Sequence, residues 1–341
     1  MIYGKYYHNH YYGYRGLPPI DFQAGIDTIE VKSSTYLEKT KPYLSHDNYR
    51  KLDMSEEEPQ YKYRFNPDKT LNDLTTNSDI QKQRIETYEE YQTALDFMMN
   101  DTGLKNAIKT RIDFRFDEYR TDYQHLFKIS KVILLLLAMT YKVKQTYQSF
   151  DLMTAEIKTA RIQNNRIEAE FYNKLEQEPQ SGIKCRLELR SKALNDTDQE
   201  DGKELREFLK WLERLYKSAT WENFETLTAD LNSYLYDLYL TEIKDHLVWK
   251  PSQFIIKYSD YFLTARQIDV FFAMCGKKNP QSSAAQFRRI YPIPLIRYKD
   301  ITQYIENIRA AANRYFAQTE DTPEQTAQTS KISEQQIVNN L

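Results

Sequence analysis

The sequence predicts an α+β fold: an antiparallel-rich sheet with helices on one face and a polar face carrying the candidate chemistry, followed by a helical C-terminal region. Three observations predict it. Arg111 to Asp117 (RIDFRFD), Arg166 to Lys174 (RIEAEFYNK) and Lys184 to Arg190 (KCRLELR) alternate apolar and polar residues at the period of a strand. A run with helical apolar spacing lies between the first two, with Leu126, Ile129, Ile133, Leu136 and Leu137 on one side. From about Asp201 onward the spacing is helical throughout.

Taken in order, residues 1–20 are Tyr-rich, contain His8 and His10, and end in Leu17-Pro18-Pro19, which predicts a flexible or extended arm. Ile26 to Lys32 alternates as a strand, with Ile26, Thr28 and Glu30 set against Asp27, Ile29 and Val31. Residues 45–85 are polar and without period, which predicts a loop-rich insertion. A helix follows from Glu86 to about Met99, ended by Asp101-Thr102-Gly103. RIDFRFD comes next, and Thr121 is a plausible N-cap for a helix reaching Tyr141.

Alternation resumes at Gln145 to Met153 and at Glu156 to Gln163. Asn164-Asn165 suits the positive φ of a tight hairpin into RIEAEFYNK, and Pro179 to Gly182 turns into KCRLELR. In the next helix Leu205, Phe208, Leu209, Leu212, Leu215 and Tyr216 fall at i, i+3, i+4, i+7 spacing. Helices from Thr264 to Met274 and from Gln281 to Ile290, separated by Gly276 to Pro280 (GKKNP), are compatible with a helix-turn-helix reader, although many helical hairpins look the same. The domain reading is a 1–20 arm, a 21–200 nicking or nuclease unit with the 45–85 insertion, a 201–318 helical DNA- or partner-binding unit, and a disordered Gln/Thr/Ser/Glu-rich tail at 319–341.

At 341 residues and 40% hydrophobic, the chain can bury a sizeable core, to which 28 Tyr and 16 Phe contribute. The net charge is only −2, which argues against binding nucleic acid by bulk charge. The distribution is more telling. Lys105 to Arg190 holds 16 basic and 11 acidic residues, and Lys250 to Ala317 holds 11 and 4. Cys185 and Cys275 have no CxxC spacing and read as reduced, buried thiols of a cytoplasmic protein. There is no signal-peptide pattern, and the most apolar run, Val132 to Met139, is far short of the ~20 residues of a membrane span. With no G-x-x-x-x-G-K-[ST], G-x-G-x-x-G or G-x-S-x-G, ATP-driven unwinding falls to a separate helicase.

The polar parity gathers Arg111, Asp113, Arg115 and Asp117 from the first strand, Glu168, Glu170, Tyr172 and Lys174 from the second, and Arg186, Glu188 and Arg190 from the third. A tyrosine phenolate can attack a phosphodiester to form a 5′-phosphotyrosine, with Mg²⁺ or Mn²⁺ as Lewis acid on carboxylate oxygens. Asp113, Asp117 and Glu188 are candidate ligands if their strands are adjacent. Lys174, Arg186 and Arg190 could neutralise developing charge. The same residues also describe an ordinary solvated sheet face, and both readings stand at this level.

RIDFRFD, then EFYNKLEQ, then RLELR together resemble the pattern of rolling-circle replication initiators of Gram-positive plasmids and integrative elements: an R-(I/V)-D-x-x-x-D strand, a Y-x-K-x-x-E-Q segment and an R-x-E-x-x strand. The resemblance spans about residues 105–192, and filamentous-phage initiators are similar at this level. It implies that Tyr172 is the nicking nucleophile and that Asp113, Asp117 and Glu188 are candidate metal ligands; Lys174, beside the tyrosine, is read from its charge as a second catalytic residue. It further implies double- and single-stranded origin DNA as partners, a host helicase and a possible homodimer. Arg111, Arg186, Arg190, Lys277, Lys278, Arg288 and Arg289 are the candidate DNA-contacting residues. One departure stands out: the His-hydrophobe-His metal strand of better-known nickases has no counterpart, since His8-Asn9-His10 lacks a strand pattern and His46, His125 and His246 are isolated. A conjugative relaxase and a non-enzymatic DNA-binding copy-control protein remain as alternatives.

Overall fold

The structure, a computed structural model, describes residues 22–39, 41–46, 61–71, 84–104, 107–119, 123–141, 143–150, 157–174, 182–192, 194 and 202–317. Among the described residues, eight strands form one antiparallel sheet: β1 (Phe22–Ser33), β2 (Leu44–His46), β3 (Tyr61–Phe65), β4 (Ile108–Glu118), β5 (Lys144–Phe150), β6 (Ile157–Gln163), β7 (Ile167–Asn173) and β8 (Cys185–Lys192), in the order β2-β3-β1-β4-β8-β7-β6-β5. The three alternating stretches are therefore β4, β8 and β7, side by side at the centre. Over the middle of the sheet both faces are buried, with Ile112, Phe114, Phe116, Ala169, Phe171, Leu187 and Leu189 on the apolar side and Asp113, Arg115, Asp117, Arg186 and Glu188 on the polar side.

Helices cover that apolar face, as an α+β architecture requires. The described helices are α1 (Tyr88–Thr102), α2 (Tyr123–Tyr141), α3 (Lys203–Ser218), α4 (Trp221–Lys244), α5 (Pro251–Lys257), α6 (Ala265–Met274), α7 (Pro280–Ile290) and α8 (Tyr298–Phe316), of which α1, α2, α3, the start of α4 and α8 share the core of the sheet. All five apolar positions expected along α2 are buried, and Phe127 packs on Phe171 of β7 with ring centroids 5.5 Å apart. Phe208 of α3 meets Phe114 and Phe116 of β4, and Tyr304 of α8 meets Phe22 of β1 edge-on. On α1 the Thr87 side chain and Glu90 form a capping box, and Gly103 ends the helix at φ 68°, a left-handed value that glycine adopts without a Cβ penalty.

Several elements depart from the sequence reading. β3 lies inside the expected 45–85 insertion and pairs with β1, while residues 47–60 and 72–83 lie outside the described set. In β1 the alternation breaks at a bulge between Ile26 and Thr28, so Ile26, Ile29 and Val31 all enter the core while Asp27 turns to the polar side. At the β6–β7 hairpin the Asn164 side chain accepts from the backbone N–H of Arg166 and Ile167, each at 2.8 Å, and neither asparagine takes a positive φ. On α3 the buried anchor is Trp211, whose indole N–H donates to Ser191 on β8, whereas Leu205, Leu209 and Tyr216 face outward. The 1–20 arm, Thr121, Pro179 and the 319–341 tail lie outside the described residues.

The helices after residue 200 do not form one separate unit. α3, the start of α4 (Phe224, Leu227) and α8 share the core of the sheet, whereas Leu235 and Tyr239 from later in α4 join Phe254, Phe262, Phe271 and Phe287 in a second core. The seam between the two cores is pinned by Lys128 of α2, a buried lysine whose ammonium donates to the carbonyl oxygens of Ser259 (2.7 Å), Phe262 (3.1 Å) and Pro294 (2.7 Å). Burial pulls the Lys128 pKa down to about 7, with the nearby Asp260 acting against it. One helical turn away, Lys131 sits 3.9 Å over the Tyr261 ring.

Two stability predictions follow from this packing. A Cβ at Gly25 would stand 2.7 Å from Arg115 Nε, and Arg115 cannot swing away because Asp68 and the Ile85 carbonyl hold its far end. Gly25→Ala should therefore cost about 2 kcal/mol in urea denaturation, and an unchanged midpoint would count against the packing described. Lys128→Met keeps the length of the side chain but leaves three carbonyls without their donor, so the same measurement should register a loss of at least about 3 kcal/mol.

Candidate active site

The polar face is a lattice of paired charges on β1, β4, β8, β7 and β6. Antiparallel register sets Asp117 opposite Arg186 and Arg186 opposite Tyr172; the next row is Arg115, Glu188, Glu170 and Arg161, and the third is Asp113, Arg190, Glu168 and Gln163. Opposite residues on one face of a sheet stand within side-chain reach, so these rows dictate the contacts.

Arg186 is the central node. Its Nε and Nη2 donate to the two oxygens of Asp117 at 2.6 and 3.1 Å, and its Nη1 donates to Asp27 at 2.6 Å. Arg186 and Asp117 are 2% and 1% exposed, so neither charge could persist there without the other. Arg115 bridges to Asp68 and to the Ile85 carbonyl, and Arg84 stands 3.5 Å from Asp117 and 3.6 Å from Asp68. Arg111 forks onto Asp113 at 2.6 and 2.7 Å. Arg190 gathers Glu168, Glu170 and Glu188, with Asp113 at 3.6 Å.

Tyr172 projects into this lattice on the parity expected, and its hydroxyl donates to Glu188 Oε1 at 2.5 Å. Burial, followed by the negative charge of Glu188, raises its pKa well above the ordinary phenol value, with Arg186 acting in the opposite direction. The Lys174 ammonium lies 5.8 Å from the Tyr172 ring centre. Burial lifts the Asp113 pKa to about 6 against the pull of Arg111. Burial also opposes ionisation of Glu168, but hydrogen bonds from Lys192 and Arg190 outweigh it and hold the group at about 2.

The sequence-predicted residues thus fall into two places. Tyr172, Lys174, Asp113, Asp117, Glu188, Arg111, Arg186 and Arg190 occupy adjacent strands of one face, whereas Lys277, Lys278, Arg288 and Arg289 lie on the α6–α7 hairpin. As a metal set, the carboxylates do not converge. Asp113 and Asp117 are four residues apart on one strand, roughly 13 Å between Cα atoms at ~3.3 Å per residue, and Arg115 stands between them. Each is already engaged by arginine, Glu188 is engaged by Tyr172 and Arg190, and no group of three His, Cys, Asp or Glu suited to a metal occurs among the described residues. His8 and His10 lie outside the described residues.

Sequence reasoning missed Asp27, Asp68 and Arg84, which close the lattice from β1 and from the 67–85 region. A bulge and a connection without period hid them. Glu168, Glu170 and Arg115 were visible as polar-face residues, yet their roles as partners of arginine and aspartate depend on register.

No protein-family model matches the chain, and no curated protein matches it. A solved structure described as a rolling circle replication initiator protein from Geobacillus stearothermophilus aligns with 50% of this chain and 75% of its own length, at 11% identity and a TM-score of 0.28. At that score the likeness carries no argument about this chain. Among the described residues no helix is long and apolar enough to cross a membrane.

The pKa of Glu168 makes the lattice testable by pH. Because its folded pKa lies below the ordinary carboxylate value, the stability it contributes is complete above about 4.5 and is lost as the pH falls toward 2. Glu168→Gln should cost about 3 kcal/mol near neutrality by leaving Arg190 and Lys192 short of a partner. The gap between variant and parent should close on acidification, and a gap that widened would contradict the assignment.

Proposed function

We propose that the chain is a replication initiator of a mobile element, nicking one strand of an origin by transesterification at Tyr172. The observation carrying this reading is that the residues of three short motifs, spread over positions 111–190, meet on adjacent strands with the Tyr172 hydroxyl hydrogen-bonded to Glu188 and flanked by Arg186. In the proposed step, Tyr172 Oη bonds to phosphorus as the bond from phosphorus to O3′ breaks. The 5′ end stays on the protein, and the released 3′-oxygen takes a proton to become the hydroxyl that a host polymerase extends. Glu188 Oε1 already accepts the phenol hydrogen bond, and Arg186, Arg190 and Lys174 supply positive charge around the phosphoryl oxygens.

Mg²⁺ or Mn²⁺ belongs to this proposal only as a condition to vary, because Asp113, Asp117 and Glu188 are spread along the lattice and no step is routed through an ion. A conjugative relaxase would use the same chemistry at a transfer origin. A binding protein without cleavage is favoured by one observation: every carboxylate of the proposed ligand set already has an arginine partner.

Incubation with supercoiled DNA carrying candidate origins, with and without Mg²⁺ or Mn²⁺, should yield nicked circles and a protein–DNA adduct on a denaturing gel. Tyr172→Phe should abolish both while leaving DNA binding within about twofold. Nicking by that variant would remove Tyr172 from the mechanism, and binding without cleavage by the parent protein would favour the non-enzymatic reading.

A further inference from the structure

We infer that α7 is a reading helix for double-stranded DNA, with Ser282, Ala285, Gln286 and Arg289 facing the base edges and Lys277 and Lys278 holding the phosphates. This role rests on the proposed function of an origin-binding initiator and assigns the duplex to one helix.

It begins with the second core. Thr264 caps α6 in a capping box with Gln267, and α6 packs Phe271 against Tyr239 of α4 and Phe254 of α5, each pair 5.4 Å between centroids. The turn after α6 is closed by the N–H of Gly276 on the Ala273 carbonyl and of Lys277 on the Phe272 carbonyl, with Gly276 at φ 73°. Pro280, at the first turn of α7, costs no hydrogen bond there. Phe272 and Phe287 then join the two helices 6.0 Å apart, and Ala284 beside Phe287 is fully buried. Two short helices, braced by a third and joined by a five-residue turn with glycine, form the frame of a helix-turn-helix reader.

With Ala284 and Phe287 turned inward, the outward stripe of α7 is Ser282, Ala285, Gln286 and Arg289, at i, i+3, i+4 and i+7, all exposed. These side chains suit the major groove: Gln forks onto adenine, Arg onto guanine, an Ala methyl packs on the thymine methyl, and a Ser hydroxyl bonds to either partner. Small residues among them let the backbone approach closely. The charge is complementary to a duplex, since residues 264–291 hold five basic residues (Arg266, Lys277, Lys278, Arg288, Arg289) and one acidic (Asp269).

The structure also separates the basic residues by role. Arg288 donates to Asp269 at 2.8 Å and to the Ala265 carbonyl at 3.1 Å, tying α7 to α6, so it is a positioning residue and not the DNA contact expected from sequence. Arg266 pairs with Glu225. Lys277, Lys278 and Arg289 are exposed around the start and the outer stripe of α7.

The test uses the full-length protein without added metal and selects bound molecules from a random duplex library by sequencing. A short motif should be enriched. By fluorescence anisotropy on that motif, Gln286→Ala and Arg289→Ala should each weaken binding about tenfold and relax the preference at one or two base pairs. Changing Lys277 and Lys278 together to alanine should weaken binding to all duplexes alike and lower the salt-dependence slope by about 2. All of these positions are exposed, so thermal midpoints should stay at the parent value. No enriched motif, an unchanged motif in Gln286→Ala and Arg289→Ala, or equal affinity for single strands would overturn the inference. Binding is read without cleavage, so an inert Tyr172 and an inert α7 would register as separate failures.

Discussion

The central constraint on this protein is that its main sheet is buried on both faces while one of those faces is made of ions. Arg186 answers that constraint most directly, because all three of its donor groups end on carboxylates of two neighbouring strands. A guanidinium suits the task better than an ammonium, since its planar fork satisfies Asp117 with two bonds and still has one for Asp27. Much of the surrounding architecture serves the same neutralisation. The bulge in β1 aims Asp27 at Arg186, the missing side chain at Gly25 leaves room for Arg115, and the short 67–70 turn brings Asp68 over the same guanidinium.

The lattice also defines what Tyr172 is. Its hydroxyl belongs to a network whose members are positioned by sheet register, and such positioning is tight because a one-residue slip would send every charge into the apolar core. A hydroxyl held this way has a defined geometry. It also starts from a strongly disfavoured ionisation, since burial and the Glu188 charge both resist forming the phenolate.

Much of this was legible in the sequence wherever structure is periodic and local. β4, β7 and β8, the apolar side of α2, and the two helices of the hairpin with Thr264 as cap all fall where their patterns place them. Their polar parity held as well, so the face of Tyr172 was readable before its neighbours were. What escaped is non-local or aperiodic. β3 is five residues of Tyr, Lys, Arg and Phe whose strand character comes from its pairing with β1. Alternation grouped Asp27 with Ile29 and Val31, and the bulge that sends those two inward while Asp27 turns to the polar side could not be anticipated from it. Trp211 was passed over because the apolar residues of α3 extend around the helix, and burial selects only one side of them. The ligand role of Asp113 and Asp117 failed to converge for a reason of scale, as four residues of strand are too long for one ion.

The 24-residue helix α4 runs without interruption from the core under the sheet into the core that carries α6 and α7. At 1.5 Å per residue it is roughly 36 Å long, and a packed helix resists both stretch and bend. Lys128 and the Ile296-to-Leu263 backbone bond tie the return path to the same seam. The two cores are therefore held at a spacing set by this helix, which under the proposed function would act as a ruler. A base pair held at α7 and a phosphate held at Tyr172 would be separated by a length set in the protein, so a duplex bound at one end presents the same stretch of backbone to the other each time.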